Sequence, residues 1–239
     1  MFSRNRVIDG MLRGLMLLFG LSLMSLGIAF SIRSALGTTP ISSLPYALSL
    51  LTPLSVGVLM ILLNLVFVLA QIAILRRRFP PLQLLQIPVV VVFGLLNDAG
   101  LWVLRDVTFS AYWQQWLLAA IGIVIVGIGV AFQVKAKAIP LAGEALILTL
   151  STELTHRFGP KRPLLFGAMK IQFDTTLVLI SAAIGLIAAG SLLGVREGTL
   201  AAALCVGLVV QLTLRVLEPV RSVEKAVALA EDAAPARLA

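Results

Sequence analysis

The segment Gly27-Ile28-Ala29-Phe30-Ser31-Ile32-Arg33 recurs in altered form as Gly129-Val130-Ala131-Phe132-Gln133-Val134-Lys135. Each copy closes a long apolar run and leads to a proline, Pro40 or Pro140. If each half crosses a bilayer three times, the two copies must sit upside down relative to each other. Inverted repeats of this kind arrange one midplane site that opens alternately to either side. The match continues downstream, where Thr52-Pro53 and Gly57 align with Arg162-Pro163 and Gly167 at one constant offset. That offset sets Asn64 against Asp174 and Val68-Leu69 against Val178-Leu179, and further on Gly94 pairs with Gly207 and Asp98 with Gln211.

Composition fixes the surroundings. The chain is 59% hydrophobic and 13% charged, with a mean hydropathy of +1.04, and several runs approach the roughly 20 apolar residues that cross a bilayer. A net charge of +8 would suit a nucleic-acid binder, but the basic residues sit at the ends of apolar runs, where they set topology. The partners expected are a lipid bilayer and a small-molecule solute, with no nucleic acid. Cys205 stands alone, so no disulfide forms within the chain. A lone cysteine and a lone histidine, His156, make no metal pattern, and neither a metal nor a cofactor is expected.

Apolar runs and their breakers predict spans at about 12–32, 56–75, 82–104, 113–134, 164–188 and 199–217. The first is too long for the 7 to 15 residues of a signal-peptide core, and its body recurs downstream, so it is read as a helix although Arg4, Arg6 and Arg13 precede it. The predicted fold is an all-α membrane protein: two inverted three-helix repeats over residues 1–110 and 111–217, then a tail over 218–239. Arg76-Arg77-Arg78, Lys135, Lys137, Lys161, Arg162 and Arg215 fall on one side, and mainly Arg33, Arg105 and Arg196 on the other. The positive-inside rule puts the first set, and both termini, in the cytoplasm. The tail, rich in Ala, Glu and Arg, reads as a fraying amphipathic helix.

Two segments, 37–51 and 139–150, are apolar but too short to cross. Proline and hydroxyl or small residues suit their first turns. One reading makes them half-helices or re-entrant segments whose N-terminal N–H groups offer partial positive charge at mid-depth; the other lays them flat in the interface.

Polar residues within the apolar runs are few, because a charge at the bilayer centre costs roughly 2.5 to 3.5 kcal/mol on insertion scales. Asn64 and Asp174 are matched by the repeat, and Asp174 stands one turn from Lys170, so it is either a site residue or half of a self-neutralising pair. Asp98, flanked by Gly94 and Gly100, is a second candidate for a coupling ion beside Asp174, or else an interfacial carboxylate. Glu144 either faces a site or complements the dipole of its own helix. The candidate substrate-binding set is Thr38, Thr39, Ser42, Ser43, Asn64, Gly143, Glu144 and Asp174. In the stretch Gly194-Val195-Arg196-Glu197-Gly198-Thr199, Thr199 suits a cap for the last span.

GIAFSIRSALGTTPISSLPYALS, LLQIP, IPLAGEALI, FDTTLVLI and GVREGTLAAALCVG resemble the signatures of the YitT/YczE family of bacterial integral membrane proteins, over about residues 15–217. The resemblance implies a multi-pass protein of the bacterial inner membrane and transfers no catalytic or binding residues. No nucleophile with its base and no metal site argues for an enzyme, and no phosphate-binding loop argues for nucleotide-driven transport by this chain alone. The expected function is therefore secondary transport of a small polar or anionic solute, proton- or sodium-coupled, at the repeat interface. Two alternatives remain open: a substrate-binding subunit similar to the S component of an energy-coupling-factor importer, which would need a partner ATPase, and a non-transporting scaffold or assembly factor. Neither the solute nor a homodimer is decided by these residues.

Overall fold

The computed structural model describes residues 2–159 and 161–217; the expected tail helix lies outside them. Eight α-helices account for most of the described chain: α1 (Phe2–Arg33), α2 (Pro40–Ser49), α3 (Val56–Leu75), α4 (Gln86–Val103), α5 (Tyr112–Ala136), α6 (Ala142–Phe158), α7 (Phe166–Ala189) and α8 (Glu197–Leu217). Among the described residues there is no strand. Six helices are long and apolar enough to cross a membrane, at the positions the apolar runs predict. The start of α4 differs: Pro80 and Pro81 supply no N–H, and residues 81–85 form a 3-10 turn before α-geometry begins at Gln86. α1 begins well ahead of its apolar run, since helical hydrogen bonding continues into polar residues that a hydropathy pattern does not count.

The two short helices are unlike each other. α2 has 10 residues with Pro40 at its first turn, as expected. α6 has 17 residues, about 26 Å long, so the helix runs beyond the 139–150 that the apolar run suggested. Pro140 precedes the N-cap, Leu141, and does not open the helix. The helix outlasts its apolar run because Ser151 to Phe158 add polar turns that include Glu153, His156 and Arg157.

Named contacts assign a direction to seven of the eight helices, all but α2. Arg33 Nη2 donates to Leu101 O, and Arg196 Nη1 to Ala35 O, so the C-termini of α1 and α4 and the N-terminus of α8 share one end. At the other end Lys135 Nζ donates to Leu217 O, Arg78 Nη2 to Glu153, and Ser151 Oγ to Leu164 O. Those bonds gather the C-termini of α3, α5, α6 and α8 with the N-terminus of α7. Arg76, Arg77, Lys137 and Lys161 belong to this Arg78 end.

α1 and α5, which carry the two matched heptapeptides, run antiparallel in the most extensive helix–helix contact among the described residues. The contact is reciprocal. A Cβ on Gly20 would lie 2.8 Å from Gly129 O, and one on Gly129 would lie 2.7 Å from Gly20 O; Gly27 and Gly122 face each other at the same 2.8 and 2.7 Å. Only hydrogen side chains let the two backbones approach so closely. Around this seam α4 lies on α1, α8 on α5, and α3 on α4, while α2 and α6 each pack against both α3 and α7. Leu21, Met24, Ile28, Met60, Phe93 and Val126 fill the core at the seam.

Candidate functional site

The start of α6 gathers buried polar groups within the bundle, with residues of α2, α3, α4, α5 and α7 around it. Its first carbonyl, Ala142 O, accepts from Gln71 Nε2 of α3 at 3.1 Å. Gln71 and Gln86 of α4 also exchange amide hydrogen bonds at 3.2 and 3.3 Å, and both side chains are fully buried. A buried amide without partners costs several kcal/mol in hydrocarbon, so this pair and the Ala142 carbonyl satisfy one another. One residue on, Gly143 faces Ile41 of α2: a Cβ there would lie 2.7 Å from the Ile41 Cδ1 and 3.6 Å from the Phe67 ring. Phe67 in turn meets Phe173 of α7 edge to face at 5.2 Å. The N-terminal turns of the two short helices thus meet near mid-bundle, with Ile41 as the contact.

Glu144, next in line, turns toward α5 and α7. Gln133 Nε2 of α5 donates to Glu144 Oε2 at 3.1 Å, and Lys170 and Asp174 of α7 lie within electrostatic range. Lys170 Nζ pairs with Asp174 Oδ2 at 3.2 Å, the i,i+4 pairing the spacing allows. Two carboxylates share one ammonium. Among the described residues, the buried Gln133 Oε1 and Asp174 Oδ1 have no hydrogen-bond partner. What the arrangement offers is a set of acceptors for a proton, a cation or a donor-bearing solute.

The other predicted residues are distributed as follows. Thr38, Thr39, Ser42 and Ser43 are buried at the start of α2 and largely satisfy one another: Thr38 and Thr39 Oγ1 contact Ser42 Oγ at 2.9 and 2.6 Å, and Ser43 Oγ donates to Pro40 O at 2.7 Å. Ser181 Oγ of α7 donates to Ser43 O at 3.0 Å. Asn64 is buried and returns its amide to Met60 O of its own helix at 2.8 Å. The structure brings Gly143, Glu144 and Asp174 into one neighbourhood and reaches the α2 group through Ile41; among the described residues Asn64 and Asp174 share no hydrogen bond.

Asp98 has a structural use that its spacing did not announce. Its carboxylate accepts from Gly57 N at 2.7 Å and from Ser55 Oγ at 2.6 Å, which caps the N-terminus of α3 from a neighbouring helix. Thr199 sits at the third position of α8, not at its cap, and accepts from Arg196 N at 3.3 Å, the return half of a capping box. Around it, Gly198 N donates to Leu36 O at 2.8 Å, and Gly37, at φ +93°, packs on Thr199. GVREGT and SALGTT therefore dock onto each other.

Gln133, Gln71 and Gln86 escaped the sequence reading. For Gln133 a signal exists: it replaces Ser31 in the repeated heptapeptide. Ser31 Oγ is likewise buried without a partner among the described residues, so the matched position holds a spare oxygen in both copies.

These features define a multi-pass helical membrane protein. Residues 11–215 match the family described as "Family of unknown function (DUF6198)", and the chain belongs to it. It is also similar to "Uncharacterized protein YyaS" of Bacillus subtilis (strain 168), 29% identical over 180 residues, which is 75% of this chain and 85% of that protein. No solved structure matches.

Proposed function

We propose that the protein is a secondary transporter of the bacterial inner membrane, built on two inverted repeats, with its site at the start of α6. The observation that carries this reading is the meeting of two short-helix N-termini beside Glu144, Gln133, Lys170 and Asp174. Broken or short helices that meet at mid-depth, with ionisable residues beside them, are how secondary transporters hold a solute and its coupling ion. Support for the inverted repeat comes from the reciprocal Gly20–Gly129 and Gly27–Gly122 contacts, which are what a pseudo-two-fold axis between α1 and α5 produces. The resemblance to the YitT/YczE family fits the same picture.

The spare acceptors weigh on the cargo. An anion would add charge to a group that already holds two carboxylates and one ammonium, whereas a proton, a cation or a neutral solute with N–H and O–H groups supplies the missing donors. We therefore favour a proton- or cation-coupled carrier of a neutral or cationic polar solute over an anion carrier. The excess of arginine and lysine at the Arg78 end supports a topology with that end, and both termini, in the cytoplasm.

The test is uptake by purified protein in liposomes under an imposed proton or sodium gradient, across neutral, cationic and anionic solutes. Glu144→Gln and Asp174→Asn are expected to abolish gradient-driven uptake while the protein remains folded in detergent. Full uptake in both variants would remove the site. Uptake that needs an added ATPase would move the protein to the substrate-binding-subunit reading.

A further inference from the structure

The two halves differ at one matched place. In the first half α3 and α4 are locked together: a Cβ on Gly57 would collide with the Gly94 carbonyl, one on Gly94 would lie 2.6 Å from Gly57 O, and Asp98 caps the first turn of α3. The repeat aligns Gly57 with Gly167, Gly94 with Gly207 and Asp98 with Gln211. α3 opens at Val56 and α7 at Phe166, which the same offset superposes. Yet among the described residues α7 and α8 do not pack on each other as α3 and α4 do. A Cβ on Gly167 or on Gly207 would meet nothing within 4 Å, and both glycines are exposed. Gln211 is exposed as well, one turn from Gly207 on the same helix face. The first turn of α7 has no side-chain cap. The two glycines and the capping carboxylate of the α3–α4 lock thus have counterparts that stand unengaged, while Ser55 falls on Leu165.

An exposed amide on an apolar helix, and glycines that cost helix propensity without gaining a close contact, are expensive features to leave unused. We propose that the chain has a second conformation in which α7 and α8 close on each other through Gly167, Gly207 and Gln211, as α3 and α4 close here, while the α3–α4 lock releases. Gln211 then takes the place of Asp98 and accepts from the N–H of Gly167. The α7–α8 gap lies at the Arg78 end, beside Lys170 and Asp174, and the α3–α4 lock lies toward the opposite end. Exchange of the two would move access to the α6 site from one side to the other. The proposal rests on the inverted-repeat reading, and its test needs neither solute nor gradient.

In full-length protein carrying Cys205→Ser, the pair Leu165→Cys with Gln211→Cys reports the closed α7–α8 state by oxidative cross-linking in liposomes. Leu165→Cys with Val209→Cys is the control, since Val209 faces Gly127 of α5. The expected result is an intramolecular disulfide at 165–211 at least tenfold faster than at 165–209. Adding Asp98→Ala, which removes the cap that holds α3 to α4, should accelerate the 165–211 disulfide about fivefold, the population shift of one lost helix cap. Gly57→Ala, which wedges the same contact, should do likewise and serves if Asp98→Ala does not fold. Equal rates for the two pairs, a disulfide that joins two chains, or no acceleration by either lock variant would each overturn the proposal. Acceleration as expected in protein that moves no solute would keep the two states and remove transport instead.

Discussion

Glu144 and Asp174 face different consequences when changed, because their partners differ. Glu144 is held by Gln133, a neutral donor, so Glu144→Gln keeps the hydrogen-bonding capacity and removes only charge. Asp174 is held by Lys170, so Asp174→Asn leaves an ammonium without its counter-ion, at a cost of about 3 kcal/mol or more for a desolvated pair, less where solvent reaches it. The double change Lys170→Met with Asp174→Leu removes both charges. If the pair serves stability alone, thermal stability and uptake should both return in the double variant; if Asp174 serves coupling, stability returns and uptake stays lost. Thermal unfolding and liposome uptake on the same three proteins separate the outcomes. The Gln71–Gln86 pair makes a related prediction. Gln71→Leu strands the Gln86 amide and the Ala142 carbonyl, which costs about 1 to 3 kcal/mol, and Gln71→Leu with Gln86→Leu should recover much of it in a thermal melt.

At the scale of helices, the α1–α5 seam decides more than any single side chain. Gly20, Gly27, Gly122 and Gly129 stand where added atoms would meet opposing backbone at 2.7 to 2.8 Å. Gly27→Leu and Gly129→Leu should therefore force the helices apart and lower stability by several kcal/mol, beyond the 1 to 3 typical of an overpacked core. Gly14 lies on the same helix with nothing within 4 Å, and Gly14→Leu should leave the melting temperature nearly unchanged. Loss of stability in Gly14→Leu equal to that in Gly27→Leu would mean that added bulk anywhere on α1, not the close contact at the seam, sets the response, since helix propensity alone favours Leu over Gly. The mutual docking of GVREGT on SALGTT works at this scale too. Arg196→Ala removes the donor to Ala35 O and should loosen the junction by about 1 kcal/mol, seen as faster hydrogen exchange over residues 34–38 and 194–199.

For the whole molecule, orientation and pseudo-symmetry are the quantities to measure. Residues of about 15–110 superposed on about 117–217 should need a rotation near 180° about an axis in the membrane plane. Halves that point the same way would end the inverted-repeat reading. Orientation follows from labelling: with Cys205→Ser, an impermeant thiol reagent should reach Phe109→Cys from outside intact cells and Phe79→Cys only after lysis, because positions 76–78 carry arginines. The reverse pattern would invert the topology and place the gap beside Lys170 and Asp174 on the outside.

Hydropathy and charge position alone determined the number of spans, their ends to within a few residues for α3, α5, α7 and α8, and which loops share an end, since a bilayer tests each segment separately for length and apolarity. The matched heptapeptides, too, were legible, because they come from a comparison of the chain with itself. Only the tertiary structure decided that α6 continues for 17 residues, that Asp98 caps α3, and that Gln133 joins Glu144. It also decided that Gly57 and Gly94 meet closely while Gly167 and Gly207 face open space. These are contacts between residues far apart along the chain or choices between partners of the same chemical type. A local pattern carries no term for either, so a glycine that admits a neighbouring helix and a glycine that faces empty space read alike until the helices are placed.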